Sequence, residues 1–425
     1  MKKIMAFLLV ATMLIAPVFA SGASEETSAA GSSEKPVELS FFGFKTATQA
    51  EIVKTLIAEF NEANPDIVVS YEGLTNPGGY QNVLTTRLAS GQGDDIFMSS
   101  TSFLNKIEQS GYTVDLSDMP VLEKYTANMQ VGETVPGLAM ATALFGMYTN
   151  NDLLRECGID KAPQTRDEFL QACEILKENG KTPIVAGSSD GTGAAIFVMT
   201  RGFEDMYLNQ SKDAKKADIK KIDNGEMELG KVLAKGFEFD ELLNEKGYID
   251  GEKSVVMHPF TDGTTAFATG DVGFFLMGSW AVSSVRKAMP DVDVTFGGVP
   301  VSDKAPIVLS DAGVRLCINS SSKYPEQAKR FIEFMTSTEN NNRYCADQNS
   351  FTVLNDGTST SDPMVQDAAA VLKSGRFLPW ADTSYRNIDT WALAKQYGSN
   401  VFAGESAAKA IADLDETNNL NLSLK

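Results

Sequence analysis

From residue 37 onward, short β-rich apolar runs alternate with segments whose apolar residues recur every three or four positions. The run VELSFFGF (37–44) predicts a strand, and 48–64 predicts a helix with Ile52, Val53, Leu56, Ile57 and Phe60 on one face and Pro65 stopping it. A strand at 67–71, a helix at 80–89 and a strand at 95–98 follow, an order that calls for a right-handed doubly wound lobe. Thr165-Arg166-Asp167-Glu168 has the form of a capping box, so a further helix is expected to run to Asn179, with a strand at 183–186 repeating the alternation in a second lobe. Residues 204–253 are dense in charges of both signs and predict solvated helices on that lobe's rim. The runs 274–279 and 314–318 are strand-like, and Pro325 opens a helix whose Ala328, Phe331, Ile332 and Met335 share a face. No repeat of fixed period is visible. The fold class expected is α/β, with two doubly wound lobes.

The first twenty residues break this pattern: two lysines, an apolar run from Ile4 to Ile15, and small residues ending at Ala20. They read as a secretory signal peptide cleaved after Ala20, because the run is short of the roughly 20 residues that span a bilayer. Residues 21–35 are small and polar and read as a flexible leader. No cysteine stands near the cleavage point, so the mature chain is expected to be released, periplasmic or extracellular, without a lipid anchor.

The charge narrows the partners. With 37 Lys+Arg against 56 Asp+Glu, a net charge of −19 and a pI near 4.6, a surface that neutralises many phosphates is not expected, and nucleic acid is not a partner. A single histidine, His258, rules out two-histidine metal motifs, and before Pro259 it reads as a loop residue. The four cysteines lack a CxxC or Cys/His cluster, so no metal or other cofactor is expected. Cys173 and Cys317 fall at apolar positions and read as buried thiols, a Cys157–Cys173 bridge being the alternative.

Seven pieces spread over nearly the whole chain resemble the carbohydrate-binding solute-binding proteins of ABC importers, the family that includes maltose-binding protein. They are Ala58-Glu59-Phe60-Asn61 with Asn64-Pro65-Asp66-Ile67; Leu88-Ala89-Ser90-Gly91 with Asp95-Ile96; and Gly146-Met147-Tyr148-Thr149-Asn150-Asn151-Asp152-Leu153-Leu154. After these come Gly158, Pro163-Gln164-Thr165 and Glu168-Phe169; Gly180 with Pro183-Ile184; Gly278-Ser279-Trp280; and the helix bearing Ala328, Phe331 and Ile332. Asp94 and Arg166 stand where the family usually has proline and tryptophan. The resemblance implies a periplasmic binding protein of type II, with hinge crossovers near Ala143 and Ser310 and a ligand cleft between the lobes. It implies an N-terminal lobe of 36–143 plus 312–345 and a C-terminal lobe of 147–309 plus 349–425. It also implies no catalysis, a carbohydrate ligand, and delivery to ABC permease subunits in the membrane by a monomer that closes on its ligand.

A sugar offers hydroxyls to polar side chains and an apolar face to a ring. Trp280, at the end of an apolar run and after small residues, is the leading aromatic candidate and matches the family's stacking tryptophan, a core role being its alternative. Trp380 is the second candidate, whereas Trp391 reads first as a packing residue. Loops at the carboxyl ends of parallel strands add Lys45 and Thr46, Ser100 and Thr101, and Asp190. Asp311 either accepts hydroxyl hydrogen bonds or caps a turn, and Arg386 is a polar candidate of the last segment. Two other readings stay open: the same scaffold carrying a polyamine or glycerol phosphate, and a secreted glycoside hydrolase, for which no feature selects a carboxylate pair.

Overall fold

The computed structural model describes residues 35–424 apart from 75–78 and 127–128. The expected signal peptide and all but the last residue of the leader lie outside the described residues. Two mixed sheets organise the chain. The first, in the order β2-β1-β3-β10-β4, contains β1 (Val37–Gly43), β2 (Ile67–Gly73), β3 (Ile96–Ser100), β4 (Leu138–Ala139) and β10 (Val314–Ile318). The second, in the order β11-β9-β5-β7-β6, contains β5 (Ala143–Asn150), β6 (Thr182–Val185), β7 (Val272–Gly278), β9 (Val308–Asp311) and β11 (Phe377–Pro379), with β8 (Val294–Gly297) beside the far half of β5.

The parallel pairs β1–β2, β1–β3 and β6–β7 are joined through helices, as parallel strands require. The helix Glu51–Ala63 buries Val53, Leu56, Ile57 and Phe60, and the helix Pro325–Thr336 buries Ala328, Phe331, Ile332 and Met335, so both apolar stripes face a core. The capping box at Thr165 and Glu168 is formed as the spacing predicts. All four cysteines are free thiols; three are buried, and Cys157 is half-buried, so the bridge alternative falls.

The charged stretch 204–253 departs from expectation. Its helix Leu229–Glu245 is a core element and not a rim: Leu229, Leu233, Phe237 and Leu243 are fully buried, while Lys231, Lys235, Glu238 and Glu245 take the outer face. Dense charge masked a stripe with helical spacing. At Gly236 a Cβ would lie 2.2 Å from the Val198 carbonyl oxygen, so glycine lets this helix press on the helix Thr192–Gly202, itself almost entirely buried.

The chain crosses between sheets at 140–142 and at 312–313, and these crossovers lie against each other. Ala143 is in register with Asp311 and Leu144 with Ser310, while the Met140 amide donates to the Val314 carbonyl at 2.8 Å. Gly313 has φ +26°, and a Cβ there would sit 2.4 Å from the Ala141 carbonyl oxygen, so no larger residue fits the turn. A third pass follows the helix Thr338–Asp347, where Phe351 bridges to Thr142.

Candidate functional site

The antiparallel pairing of β5 with β7 and β9 aligns Gly278, Phe145 and Leu309, with Leu378 of β11 next in the row. The chain therefore brings residues 279–280, 310–311 and 380 to one end of the second sheet. Phe145, buried within that row, is the hub. The rings of Trp280 and Trp380 meet it edge-on at centroid distances of 4.9 Å each, at 73° and 69°, and Trp391 lies tilted at 5.4 Å. All three indoles of the chain are half-buried on this one phenyl ring, which leaves apolar ring surface partly open to solvent. A Cβ on Gly278 would lie 2.2 Å from the Trp280 ring, so the small residue before Ser279 does admit the indole.

Trp391, which the sequence reads first as a packing residue, does pack on Phe145 and shares that ring with the two candidates. It opens the helix Thr390–Phe402, capped by Asp389, whose carboxylate accepts from the Ala392 amide. One turn on, Lys395 pairs with Asp190 at 3.2 Å. Asp190 also accepts from the Thr192 amide and hydroxyl, so it is held at the entrance to the helix Thr192–Gly202.

The first sheet supplies short polar side chains. Lys45 and Thr46 follow β1, and the Lys45 ammonium donates to Gln348 Oε1 at 2.8 Å. Burial lowers the Lys45 pKa to about 8, against the opposing pull of Asp347. Ser100 ends β3 with its hydroxyl 3.2 Å from that of Ser102, and Thr101 opens the helix Thr101–Gln109 with its side chain buried.

Between that helix and the segment 381–390 lies a cavity of about 220 Å³. Its lining is hydroxyl, amide and charged: Thr101, Ser102 and Asn105 on one side, Asp382, Arg386 and Asn387 on the other. Tyr207 donates to Asp382 at 2.8 Å from behind. Arg386 is engaged across the cavity: it donates to Asn105 Oδ1 at 2.7 Å and pairs with Glu108. Asn105 returns a bond to the Tyr385 carbonyl at 2.8 Å, and Gln109 donates to the Arg386 carbonyl at 2.8 Å. These contacts join residues about 280 positions apart, which no local pattern announces.

Asp311 sits at the second crossover, buried, with its pKa raised to about 7. Burial is the main cause; the Arg315 guanidinium and the Thr101 hydroxyl pull the other way, and the Asp382 charge adds to the rise. The Ala312 amide next in the chain also favours the carboxylate, and Oδ2 is buried. Among the described residues, no group of three or more histidine, cysteine or acidic side chains has the arrangement of a metal site.

A two-lobed α/β body with a polar cleft at its crossovers is the architecture of a binding protein, and the comparisons agree. Residues 46–342 match the family model described as bacterial extracellular solute-binding protein. The chain belongs to that family.

It is 25% identical over 355 residues to the melibiose/raffinose/stachyose-binding protein of Bacillus subtilis, covering 80% of this chain and 78% of that one. It is 23% identical over 334 residues to the multiple sugar-binding protein of Streptococcus mutans, covering 76% of each. Among solved structures, a chitin oligosaccharide binding protein superposes with a TM-score of 0.75 at 18% identity, covering 92% of this chain and 100% of that chain. A Bacillus licheniformis sugar transporter in complex with stachyose superposes with a TM-score of 0.69 at 20% identity, over 90% and 99%. These structural likenesses show the fold.

Proposed function

We propose that this solute-binding protein captures a sugar or oligosaccharide between its lobes and delivers it to the membrane permease of an ABC importer, acting by binding and not by catalysis. The observation that carries this reading is the set of three half-buried indoles on Phe145, at the sheet end where β7 and β11 finish and β5 begins, near a hydroxyl- and amide-lined cavity. Rings cover the apolar face of a pyranose, and short polar side chains hold its hydroxyls. The names of the two curated relatives, both sugar-binding proteins, support the same ligand class.

Trp280 and Trp380 serve as platforms in this reading, with Trp391 beside them. Lys45, Thr46, Ser100, Thr101, Asp190 and Asp311 offer hydrogen bonds. Arg386 acts across the cleft through Asn105 and Glu108. The lobes 36–143 with 312–345 and 147–309 with 349–425 close as rigid bodies about the crossovers, and the secreted monomer begins at Ser21. A thermal-shift screen against raffinose, stachyose, maltose and chitobiose tests the ligand class. A sugar at one hundred times its Kd raises stability by about 2.7 kcal/mol, and no shift with any sugar defeats the reading.

A further inference from the structure

Trp380 stands on a stretch of chain with little regular structure of its own. It follows β11, a short edge strand paired with β9 and ending in Pro379, which has no N–H to give to a ladder. After it, residues 380–389 contain neither helix nor strand. An indole that receives a ligand must nevertheless be held in one place, because ordering a loose segment on binding costs affinity.

The segment is held from behind by the charged stretch that follows residue 203. Ahead of the indole, Arg376 donates to the Ser302 hydroxyl at 2.9 Å and to the Ala305 carbonyl at 2.8 Å, and it pairs with Glu204 at 3.4 Å. Glu204 is itself buried and satisfied: Oε1 accepts from the Ser302 hydroxyl at 2.5 Å and Oε2 from Arg201 at 3.0 Å. Behind the indole, Tyr207 donates to Asp382 Oδ2 at 2.8 Å, with its ring edge-on to Phe203 at 5.4 Å. Glu204 and Tyr207 are three residues apart in the short helix Glu204–Leu208, so they lie on one face and reach the chain on both sides of Trp380. Buried polar networks with every member satisfied fix one arrangement, which apolar packing alone does less sharply.

We propose that the helix Glu204–Leu208 is a clamp that positions the Trp380 platform: Glu204 fixes the chain ahead of the indole through Ser302 and Arg376, and Tyr207 fixes it behind through Asp382. The inference rests on the sugar-binding reading above and adds two positioning residues to it. Neither Glu204 nor Tyr207 lines the cavity between the helix Thr101–Gln109 and the segment 381–390, so their effect on a ligand passes through the segment they hold. The charged residues here do what a solvated rim could not, since Glu204 is buried against the chain it pins.

The test is calorimetric titration of the full mature protein with raffinose, stachyose, maltose and chitobiose, for wild type, Tyr207→Phe and Glu204→Gln, each with and without Trp380→Ala. Tyr207→Phe keeps the buried ring and removes only the hydroxyl. It should weaken binding about threefold to tenfold when Trp380 is present and less than twofold when it is absent, because no indole is then left to position. Glu204→Gln should act in the same direction from the other end; should it not fold, Tyr207→Phe decides alone. Wild-type affinity in Tyr207→Phe, or an equal loss in both backgrounds, overturns the clamp while leaving sugar binding intact, since a bond that serves only stability or only Asp382 does not depend on the indole. If Trp380→Ala binds too weakly to titrate, the emission of Trp380 as the sole indole, in a Trp280→Phe/Trp391→Phe protein, decides. A red shift and easier acrylamide quenching on adding Tyr207→Phe support the clamp, and an unchanged spectrum overturns it. Wild type that binds none of the four sugars overturns both readings.

Discussion

The two lobes bring different chemistry to the neighbourhood of the crossovers. The second-lobe wall is aromatic and already finished: Trp280, Trp380 and Trp391 pack on Phe145, which belongs to the lobe's large core. The first-lobe side and its crossover are polar, with the Thr101 hydroxyl buried beside the Asp311 carboxyl. A ring surface tolerates a range of orientations, whereas a hydroxyl hydrogen bond is directional. In the function proposed above, one side supplies area and the other supplies choice.

Breaking the hub produces the largest effect. Phe145→Ala removes a buried ring from beneath three indoles, so the protein loses about 3–5 kcal/mol in denaturant unfolding and sugar binding falls with the platform. If the variant binds as wild type does, the indoles do not depend on Phe145 and the aromatic wall is misassigned.

The next effect separates the walls. Trp280→Ala or Trp380→Ala weakens binding on the order of tenfold to several hundredfold with a smaller loss of stability, because each ring is half-exposed. Ser102→Ala on the opposite wall removes one neutral hydrogen bond and weakens binding by about tenfold or less. Equal losses on both walls would erase the distinction.

The aromatic cluster on Phe145 was only partly legible in the sequence. Trp280 announced itself by the apolar run and the small residues ahead of it, but Phe145 sits inside an apolar strand and looks like any core residue. Its role follows from register, since only the pairing of β5 with β7 and β9 sets Phe145 level with Gly278 and Leu309. Strands and amphipathic helices with clean periodicity, such as 37–43 and 325–336, were readable because the burial they need is local. The helix Leu229–Glu245 was not, because its exposed lysines and glutamates outvote a buried stripe unless the two faces are separated by period. The contacts of Arg386 depend on partners far away in the chain and left no signal at all.

That same helix carries a buried carboxyl the cleft does not use. Asp240 is fully buried with neither oxygen partnered, and burial raises its pKa well above the ordinary 3.8. The folded state holds a proton there that the unfolded chain gives up above about pH 4. This contribution is therefore fully present at low pH and lost as pH rises toward the folded value. Asp240→Asn cannot ionise, so its stability relative to wild type should improve steadily from pH 5 to pH 8 in chemical unfolding. Sugar affinity should not change, which sets this buried group of the second lobe apart from Asp311 at the crossover. A stability gap that is constant with pH would show that Asp240 is ionised in the native protein.

The smallest effect concerns how the walls are brought together. Arg386 spans the cavity from the last segment to Asn105 and Glu108, and the Arg386 carbonyl accepts from Gln109, so the two walls touch through protein alone. An ion pair in such a partly exposed place contributes about 0.5–1 kcal/mol, and here that energy favours the arrangement in which the two segments touch. Removing it with Arg386→Ala shifts the population toward open forms, which lowers apparent affinity about two- to fivefold and slightly raises the radius of gyration of the ligand-free protein in small-angle scattering. The sequence alone suggested instead that Arg386 touches the ligand. That role predicts a loss of about tenfold to a hundredfold with an unchanged ligand-free scattering profile, because a charged hydrogen bond to the sugar would go while the resting shape stayed. The two outcomes differ in both observables, so one titration and one scattering profile of Arg386→Ala decide whether this residue belongs to the walls or to the hinge between them.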